Sequence, residues 1–292
     1  MAIYDAGGIS LNAAYDADGT GLNSAYDASG NEIWSAAPPP PFSLKVMEYN
    51  VGEWYIGNAS IVPADKDAEY YALQNGMIAS ADPDIMLICE NRQNFSQAGR
   101  TTLSVLSPYF PYIHQQGNSG YMSRAICSKY PISNYATHDF GDGRDNYYDT
   151  CTVTIDGKEI TLVVTHLLYS SGSQTVKLAQ FATLMNYLAT LDSFICGGDL
   201  NQLDCKSTSG SDYTNMIVPI LEAGYHCANC SDLGFLITYS DEPNGSWNGC
   251  LDNIITSSDI SITSAYVDTT KLADNIADKV DHMPLIAELT IN

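Results

Sequence analysis

The segments Leu162-Val-Val-Thr-His166 and Phe194-Ile-Cys-Gly-Gly-Asp199-Leu-Asn201 decide the fold class of this chain. Each is a short apolar run of the kind that forms a buried strand, and each ends in ionisable or amide side chains. Between them, residues 175–191 repeat apolar side chains at helical spacing. A strand, a helix and a second strand in this order predict an α/β fold.

The same alternation continues on both sides of these segments. Apolar runs with strand character occupy residues 43–50, 84–90, 122–128, 151–155, 159–166, 193–197, 251–256, 260–267 and 285–291, and a second helical pattern occupies residues 68–81. We therefore expect an α/β sandwich in which helices cover packed sheets.

The chain is strongly acidic. Among its 292 residues, 34 Asp and Glu stand against 12 Lys and Arg, which gives a formal net charge of −22. This balance argues against extended polybasic contacts with nucleic acid or with an anionic membrane. It is compatible with a phosphate-ester substrate, because bound metal ions can reverse the sign of the field inside one cleft.

The cysteine content points to an oxidising environment. There are eight cysteines, an even number that is high for a reduced cytosolic enzyme, so we expect an extracellular or particle-associated protein although no secretion signal is visible. Cys89 and Cys196 lie in apolar runs and are expected to be buried thiols. Cys205, Cys227, Cys230 and Cys250 lie in polar stretches where disulfides are plausible. A zinc site is the alternative for Cys227-x2-Cys230, but no second ligand pair completes it.

Residues 1–36 repeat a Tyr-Asp-Ala tripeptide every 11 residues, beginning at Tyr4, Tyr15 and Tyr26. Because so short a unit cannot build its own core, each copy must stack on its neighbours or on another chain. We expect attachment or self-association, as in the attachment regions of phage surface proteins that these repeats resemble; a flexible leader is the alternative. Residues 37–41 form a proline linker, and residues 42–292 form the catalytic domain.

Polar side chains stand at the ends of nearly every predicted strand. In chain order they are Asn50, Glu90, His166, Asp199 with Asn201, Asp252, and Asp281 with His282. Because strand ends meet at an edge of a sheet, these side chains are expected to form one site. Carboxylate and amide oxygens favour Mg²⁺ or Mn²⁺, and histidines near such an ion suit proton transfer. A single Asn or Asp after a strand is more often a turn residue, so the inference depends on the whole set.

This order of residues resembles the endonuclease/exonuclease/phosphatase superfamily, and within it the pancreatic-type deoxyribonucleases. The most specific matches are Gly197-Gly-Asp-Leu-Asn-Gln202 and Asp281-His-Met-Pro-Leu285. The resemblance covers the chain after the proline run. It implies a four-layer α/β sandwich with two packed mixed sheets, preceded here by the repetitive segment, and Mg²⁺ or Mn²⁺ as the cofactor.

The resemblance also implies a role for each position. Asn50, Glu90 and Asp281 would hold the metal. Asp199 would orient or deprotonate the attacking water, and Asn201 would bind that water or a phosphate oxygen. His282 would be steered by Asp252, and the identity of the general base stays open.

His166 matches deoxyribonucleases, sphingomyelinases and inositol 5-phosphatases rather than apurinic endonucleases. Where the deoxyribonuclease branch has a glutamate partner for this histidine, the chain has Ser123, so the partner of His166 stays open. Tyr121 and Arg144 match phosphate contacts, although a solvated loop charge is the alternative for Arg144. The same branch implies a Cys205–Cys250 disulfide, and a Cys227–Cys230 bridge is a second expectation.

These inferences predict a nuclease that cleaves DNA, more than RNA, with little sequence specificity and without spanning a membrane. The alternative enzyme is a sphingomyelinase-like protein or another hydrolase of small phosphodiesters or phosphomonoesters. An alternative of a different class is an inactive nuclease-like domain in an attachment protein.

Overall fold

Two compact units divide the chain, Met1–Pro41 and Phe42–Asn292. The computed structural model describes residues 24–26, 32–35, 41–52, 67–91, 102–115, 123–144, 146–169, 174–202, 205–230, 233–240, 248–270 and 282–292. In the first unit, β1 (Ser24–Tyr26) pairs antiparallel with β2 (Glu32–Ser35). Most of the 11-residue repeat lies outside the described residues, so its attachment role stays a prediction.

The second unit alternates strands and helices. In chain order its elements are β3 (Phe42–Asn50), α1 (Asp67–Ala81), β4 (Ile85–Cys89), α2 (Thr102–Leu106), β5 (Tyr112–Gln115), β6 (Ala125–Ser128), β7 (Ile132–Asp139), β8 (Tyr147–Ile155), β9 (Lys158–His166), α3 (Gln174–Leu188), β10 (Phe194–Asp199), a π-helical turn (Tyr213–Ile217), α4 (Val218–Glu222), β11 (His226–Cys227), β12 (Tyr239–Ser240), β13 (Asn248–Gly249), β14 (Asp252–Thr256), β15 (Ile260–Val267) and β16 (Leu285–Ile291).

Two mixed six-stranded sheets form the centre of this unit. Sheet I has the strand order β15-β16-β3-β4-β6-β5, and sheet II has the order β11-β14-β10-β9-β8-β7. The pairs β3–β4 and β9–β10 are parallel, while the other pairs in both sheets are antiparallel. Each parallel pair therefore brings two strand carboxyl ends to the same edge of its sheet.

Three apolar clusters separate the layers. The one between the sheets contains Val46 and Leu87 from sheet I with Val164 and Ile195 from sheet II. A second cluster packs α1 and α2 on the outer face of sheet I, and a third packs α3 on the outer face of sheet II. Successive side chains of a strand point to opposite faces, and both faces of these sheets are covered by an apolar cluster. The predicted four-layer α/β sandwich is confirmed.

The Gly197-Gly198 pair in β10 allows close packing behind the strand ends. A Cβ atom at Gly198 would collide with the Thr165 carbonyl oxygen of the neighbouring strand, and one at Gly197 would lie 2.7 Å from Cδ1 of Leu87 in sheet I. Any other residue at Gly198 would require a backbone shift, whereas a side chain at Gly197 would displace the side chains of the facing sheet. The two glycines therefore set how near β10 lies to β9 and to the facing sheet.

Strand prediction failed mainly at the edges of the sheets. β5, β7 and β11 are edge strands, and β7 alternates half-buried and exposed polar residues instead of forming an apolar run. A register shift between Ser133 and Ala136, with Asn134 at a φ of 51°, also interrupts its periodicity. Among the described residues, no helix is long and apolar enough to cross a membrane.

Candidate active site

Polar residues from both sheets meet at one edge of the sandwich, which we call the rim. Asn50 ends β3, Glu90 follows β4, His166 ends β9, Asp199 ends β10, Asp252 begins β14 and His282 precedes β16. Within sheet II, Asp199 is in register with His166 on one side and with Asp252 on the other. The structure thus places these six predicted positions together, three on each sheet.

Asn50 joins the two sheets at the rim. Its Nδ2 atom donates to Oε1 of Glu90 over 3.1 Å and to Oδ2 of Asp199, on the other sheet, over 3.0 Å. The Gly52 amide donates to Asn50 Oδ1 over 3.0 Å, which fixes the orientation of the side-chain amide. Because this side chain is buried, it holds the two carboxylates at a defined separation.

His282 and Asp252 form a buried pair across the sheets. Nδ1 of His282 lies 2.8 Å from Oδ2 of Asp252, and both side chains are buried. A carboxylate facing Nδ1 favours the tautomer with the proton on Nδ1, so Nε2 is left to face the rim. Thr238 also joins the two segments that carry this pair: its side-chain hydroxyl accepts from the Asp252 amide, and its carbonyl oxygen accepts from the Met283 amide.

His166 approaches the same carboxylate from the other side. Its Nε2 atom lies 3.4 Å from Oδ2 of Asp199, and its Nδ1 atom lies 3.9 Å from Oε1 of Glu90. Among the described residues, Nδ1 of His166 has no hydrogen-bond partner. Burial lowers the pKa of His166, and the nearby Glu90 carboxylate partly opposes that shift. Two carboxylates therefore flank His166: Asp199 faces Nε2, and Glu90 faces Nδ1 at a distance longer than a hydrogen bond.

Asp199 is the central acid of the rim. Burial, and next the negative charge of Asp252, raise its pKa to about 7. Its Oδ1 atom accepts a hydrogen bond from the Asn201 amide over 2.8 Å, in a turn that places Asn201 at a φ of 51°. The Asn201 side chain in turn donates to the Leu167 carbonyl oxygen over 2.8 Å. The turn after β10 is thus tied to the segment after β9.

Glu48 is a buried acid that the sequence prediction missed. It lies in β3 below Asn50 and is fully buried, and burial followed by the charges of Asp252 and Asp199 raises its pKa well above the usual value. The available signal was its position: an acid two residues from Asn50 shares the inward face of a buried strand.

The donor set at the rim fits a divalent cation. Glu90, His166 and Asp199 offer ligand atoms within 4.8 Å of one another, and so do Asp199, Asp252 and His282. Burial also raises the pKa of Glu90, and Oδ1 of Asp252 has no hydrogen-bond partner among the described residues. Several desolvated carboxylates with so few donors are the arrangement that a hard cation stabilises.

Three other predicted contacts are not part of the described rim. Tyr121 and Asp281 lie outside the described residues. Arg144 follows β7 in a turn, where its side chain is 46% exposed and its Nε atom lies 3.9 Å from Oδ2 of Asp142. Within the described ranges, no ion pair joins Arg144 to a rim carboxylate. Its phosphate contact stays a prediction.

A buried ion pair also involves an arginine of the segment that leads into β6. Arg124 is fully buried at the start of β6, and its Nε atom lies 2.9 Å from Oδ2 of Asp149 on β8. This ion pair links sheets I and II beneath the rim. Its two members are far apart in sequence, so no local pattern predicts it.

The predicted disulfides are not formed in the structure. All eight cysteines are buried, and none forms a disulfide, including Cys205, Cys250, Cys227 and Cys230. These four thiols belong to the apolar cluster under α3. The Cys230 thiol donates to the Cys227 carbonyl oxygen over 2.9 Å, and burial raises the pKa of Cys250 to about 11. They therefore act as small apolar side chains, as buried cysteines commonly do.

Comparisons with known proteins give a consistent result. A family model described as "Endonuclease/Exonuclease/phosphatase family" matches residues 74–278. No curated protein matches the chain in sequence.

Solved structures resemble the chain in fold. A D. rerio TDP2 humanised by 14 mutations has a TM-score of 0.65 at 14% identity, covering 85% of this chain and 98% of that chain. D. rerio TDP2 with a single-strand DNA product has a TM-score of 0.63 at 13% identity, covering 85% and 98%. ANGEL2, a 2',3'-cyclic phosphatase in complex with adenosine-2',3'-vanadate, has a TM-score of 0.63 at 15% identity, covering 87% and 97%.

Proposed function

The chain belongs to the endonuclease/exonuclease/phosphatase family, and from that premise we propose that it is a Mg²⁺- or Mn²⁺-dependent phosphodiesterase that cleaves DNA with little sequence selectivity. One observation supports this most directly: Oδ2 of Asp199 lies within 3.5 Å of Asn50 Nδ2, His166 Nε2 and His282 Nε2. A single carboxylate oxygen surrounded in this way is suited to hold and activate a small nucleophile.

We assign Glu90 and Asn50 to the metal, together with Asp281. The cation would neutralise negative charge on a phosphate oxygen when it is bound. Glu90 is well suited to hold it, because its carboxylate is partly exposed at the rim while Asn50 fixes one of its oxygens. The site's carboxylate and amide oxygens favour a hard ion over a thiophilic one.

We assign the attacking water to Asp199. Its carboxylate orients the water or takes a proton from it, and a pKa near neutrality suits that exchange. Asn201 is positioned by the same turn to bind the water or a non-bridging phosphate oxygen. In the overall reaction the water oxygen forms a bond to phosphorus, the bond to the leaving oxygen breaks, and that oxygen gains a proton.

We assign His282 to proton transfer or to stabilisation of negative charge on the phosphate. Asp252 holds the imidazole through Nδ1 and would stabilise its protonated form, so Nε2 can donate at the rim. His166 lies on the opposite side of Asp199 and is assigned to a second phosphate oxygen.

The cations argue for weak and unselective binding of DNA. Most described Lys and Arg side chains already have partners: Lys45 with the Ala81 carbonyl, Arg124 with Asp149, Lys129 with Asp82 and Asp84, Lys158 with Asp259, and Lys177 with Asp212. Few of the described Lys and Arg side chains thus remain to neutralise a row of phosphates, so we expect the contact to centre on the scissile phosphate.

The same shortage of cations favours a second candidate. A hydrolase of a small phosphoester, such as a cyclic phosphate or a lipid headgroup, needs no extended basic groove. The likeness to ANGEL2 supports only the fold, but that protein's name includes such an activity. An inactive attachment domain is the third possibility, and the intact rim argues against it.

The decisive experiment supplies several substrates to one preparation. Purified protein is incubated with plasmid DNA, single-stranded DNA, RNA, sphingomyelin and a 2',3'-cyclic nucleotide, each with Mg²⁺, Mn²⁺ or a chelator. We expect metal-dependent cleavage of DNA. Cleavage of the cyclic nucleotide or the lipid alone would establish the second candidate instead, and no cleavage by a folded protein would support the inactive domain.

A further inference from the structure

Helix α3 presents two buried polar side chains to the segments that hold the rim residues. Lys177 is fully buried, and its Nζ atom donates to the Asn201 carbonyl oxygen over 2.8 Å and to Oδ1 of Asp212 over 2.9 Å. Gln174 donates to the same Asp212 oxygen over 2.7 Å. A buried ammonium group is costly unless it is paired and hydrogen-bonded, and here both conditions are met.

Gln180 makes the matching contact to the other segment. It is buried, its Oε1 atom accepts a hydrogen bond from the Leu168 amide over 2.8 Å, and its Nε2 atom donates to Oδ2 of Asp142 over 2.7 Å. Oδ1 of Asp142 in turn accepts from the Arg144 amide over 3.0 Å. Gln180 therefore connects the chain just after His166 with the turn that holds Arg144.

Lys177 and Gln180 lie on one face of α3, one helical turn apart. The segments that they contact are already joined, because Asn201 donates to the Leu167 carbonyl and the Leu167 amide donates to the Asp199 carbonyl. The two turns thus form one unit, and α3 holds this unit at two points. Neither contact involves a rim side chain.

We propose that Lys177 and Gln180 are positioning residues of the active site, and that α3 sets the placement of Asp199, Asn201 and His166 at the rim. This inference rests on the proposed function, since it concerns the same rim. An ion pair that only stabilised α3 would require Asp212 and not the Asn201 carbonyl. The amine bridges both, so it transmits the position of the helix to the Asp199 turn.

The test removes the bridge without leaving a buried charge. In the double variant Lys177→Met/Asp212→Asn, we expect kcat for bis(p-nitrophenyl) phosphate with Mn²⁺ to fall about tenfold to a hundredfold, since small misplacements of reacting groups have effects of this size. KM and the melting temperature should change little. Hydrogen–deuterium exchange without metal should be faster in residues 199–202.

Lys158 provides a matched control. Its Nζ atom also contacts one backbone carbonyl, that of Asn292, and one carboxylate, that of Asp259, but it lies at the opposite end of β9 from His166. Lys158→Met/Asp259→Asn should leave kcat and the exchange of residues 199–202 unchanged. Wild-type kcat and exchange in the Lys177 variant, or equal losses in both variants, would overturn the proposal.

Gln180→Met is an independent test of the positioning role, and it remains available if the Lys177 variant does not fold. It keeps the side-chain volume and introduces no charge. We expect a similar loss of kcat and faster exchange in residues 166–169, and wild-type values of both would refute the positioning role. If the wild-type protein cleaves no substrate, the proposed function fails while the exchange measurement still tests the role of α3.

Discussion

The hydrogen bond between His282 Nδ1 and Asp252 Oδ2, 2.8 Å long, joins sheet I to sheet II. The bond from Asn50 to Asp199 does the same. The rim therefore lies between the edges of two sheets. Its residues come together only when both sheets are packed against each other.

Removal of the His282 imidazole should disable the enzyme without unfolding it. We expect His282→Ala to lower kcat by a factor of about 10²–10⁴, the usual contribution of a positioned acid or base. His226→Ala is the control, because His226 pairs with Thr256 at the other end of β14 from Asp252. Near-normal turnover by folded His282→Ala would refute the site assignment.

Loss of the Glu90 carboxylate should act through the metal. We expect Glu90→Gln to lower activity roughly 10²–10³-fold at moderate Mg²⁺, with partial recovery at high Mg²⁺, because the change weakens the cation site. Titrations of activity with Mg²⁺ measure this. Glu288→Gln, in β16 and exposed, is the control. An unchanged Mg²⁺ requirement in Glu90→Gln would exclude Glu90 as a ligand.

Stability without metal should fall as the pH rises. The folded state raises the pKa of Asp199 from 3.8 to about 7, so it binds that proton more tightly than the unfolded state does. Between these values the unfolded chain holds fewer protons, and the free energy of unfolding therefore decreases with pH. Thermal unfolding with a chelator should show this decrease between pH 5 and pH 7.

Two further measurements test whether Asp199 and the cation cause the decrease of the free energy of unfolding with pH. Asp199→Asn should reduce the pH dependence of stability, since the titrating carboxyl group is absent. Mg²⁺ should raise the melting temperature more at pH 8 than at pH 5, because the cation binds the ionised carboxylates. Equal stabilisation by Mg²⁺ at both pH values would show that the rim acids do not bind it.

Binding of DNA should depend only weakly on salt. Because most described cations are already paired, few counterions should be released, and the slope of log affinity against log salt should be on the order of −1 to −3. Fluorescence anisotropy with labelled single-stranded DNA, in Ca²⁺ or with the inactive His282→Ala variant, measures it. A steep slope would reveal a basic groove in the remaining residues.

Residues 1–36 should be dispensable for catalysis. A chain that begins at Phe42 retains every rim residue, and we expect it to keep full activity and to lose any self-association that the repeats provide. Light scattering and turnover of both forms measure this. Reduced turnover by the folded truncated chain would assign the repeats a role in catalysis instead.

The sequence predicts the site best where a polar site residue directly follows a buried apolar strand. His166 and Asp199 follow apolar runs directly, so their strands and their shared edge could be predicted from pattern alone. Glu48 was missed because it lies inside β3 and not at a strand end. An acidic residue within a buried strand nevertheless indicates a functional position. The edge strand β7 was missed because one of its faces is polar and its register shifts.

Other features depend on tertiary contacts that no local pattern encodes. Lys177 and Gln180 look like the solvent face of a helix, yet they are buried because the turns after β9 and β10 fold over them. The expectation for Cys205 and Cys250 was wrong, because both side chains belong to an apolar cluster that buries them as thiols.

The glycine pair in β10 has a consequence for how mutations elsewhere should be felt. With no side chains at Gly197 and Gly198, β10 lies close to Leu87 of the facing sheet, which belongs with Val164 to the apolar cluster between the sheets. Buried residues between the two sheets, which do not contact substrate, thus influence the distance between the sheets at the rim. Substitutions in the buried layer between the sheets should therefore change turnover as well as stability, because a shift of one sheet against the other moves rim residues apart.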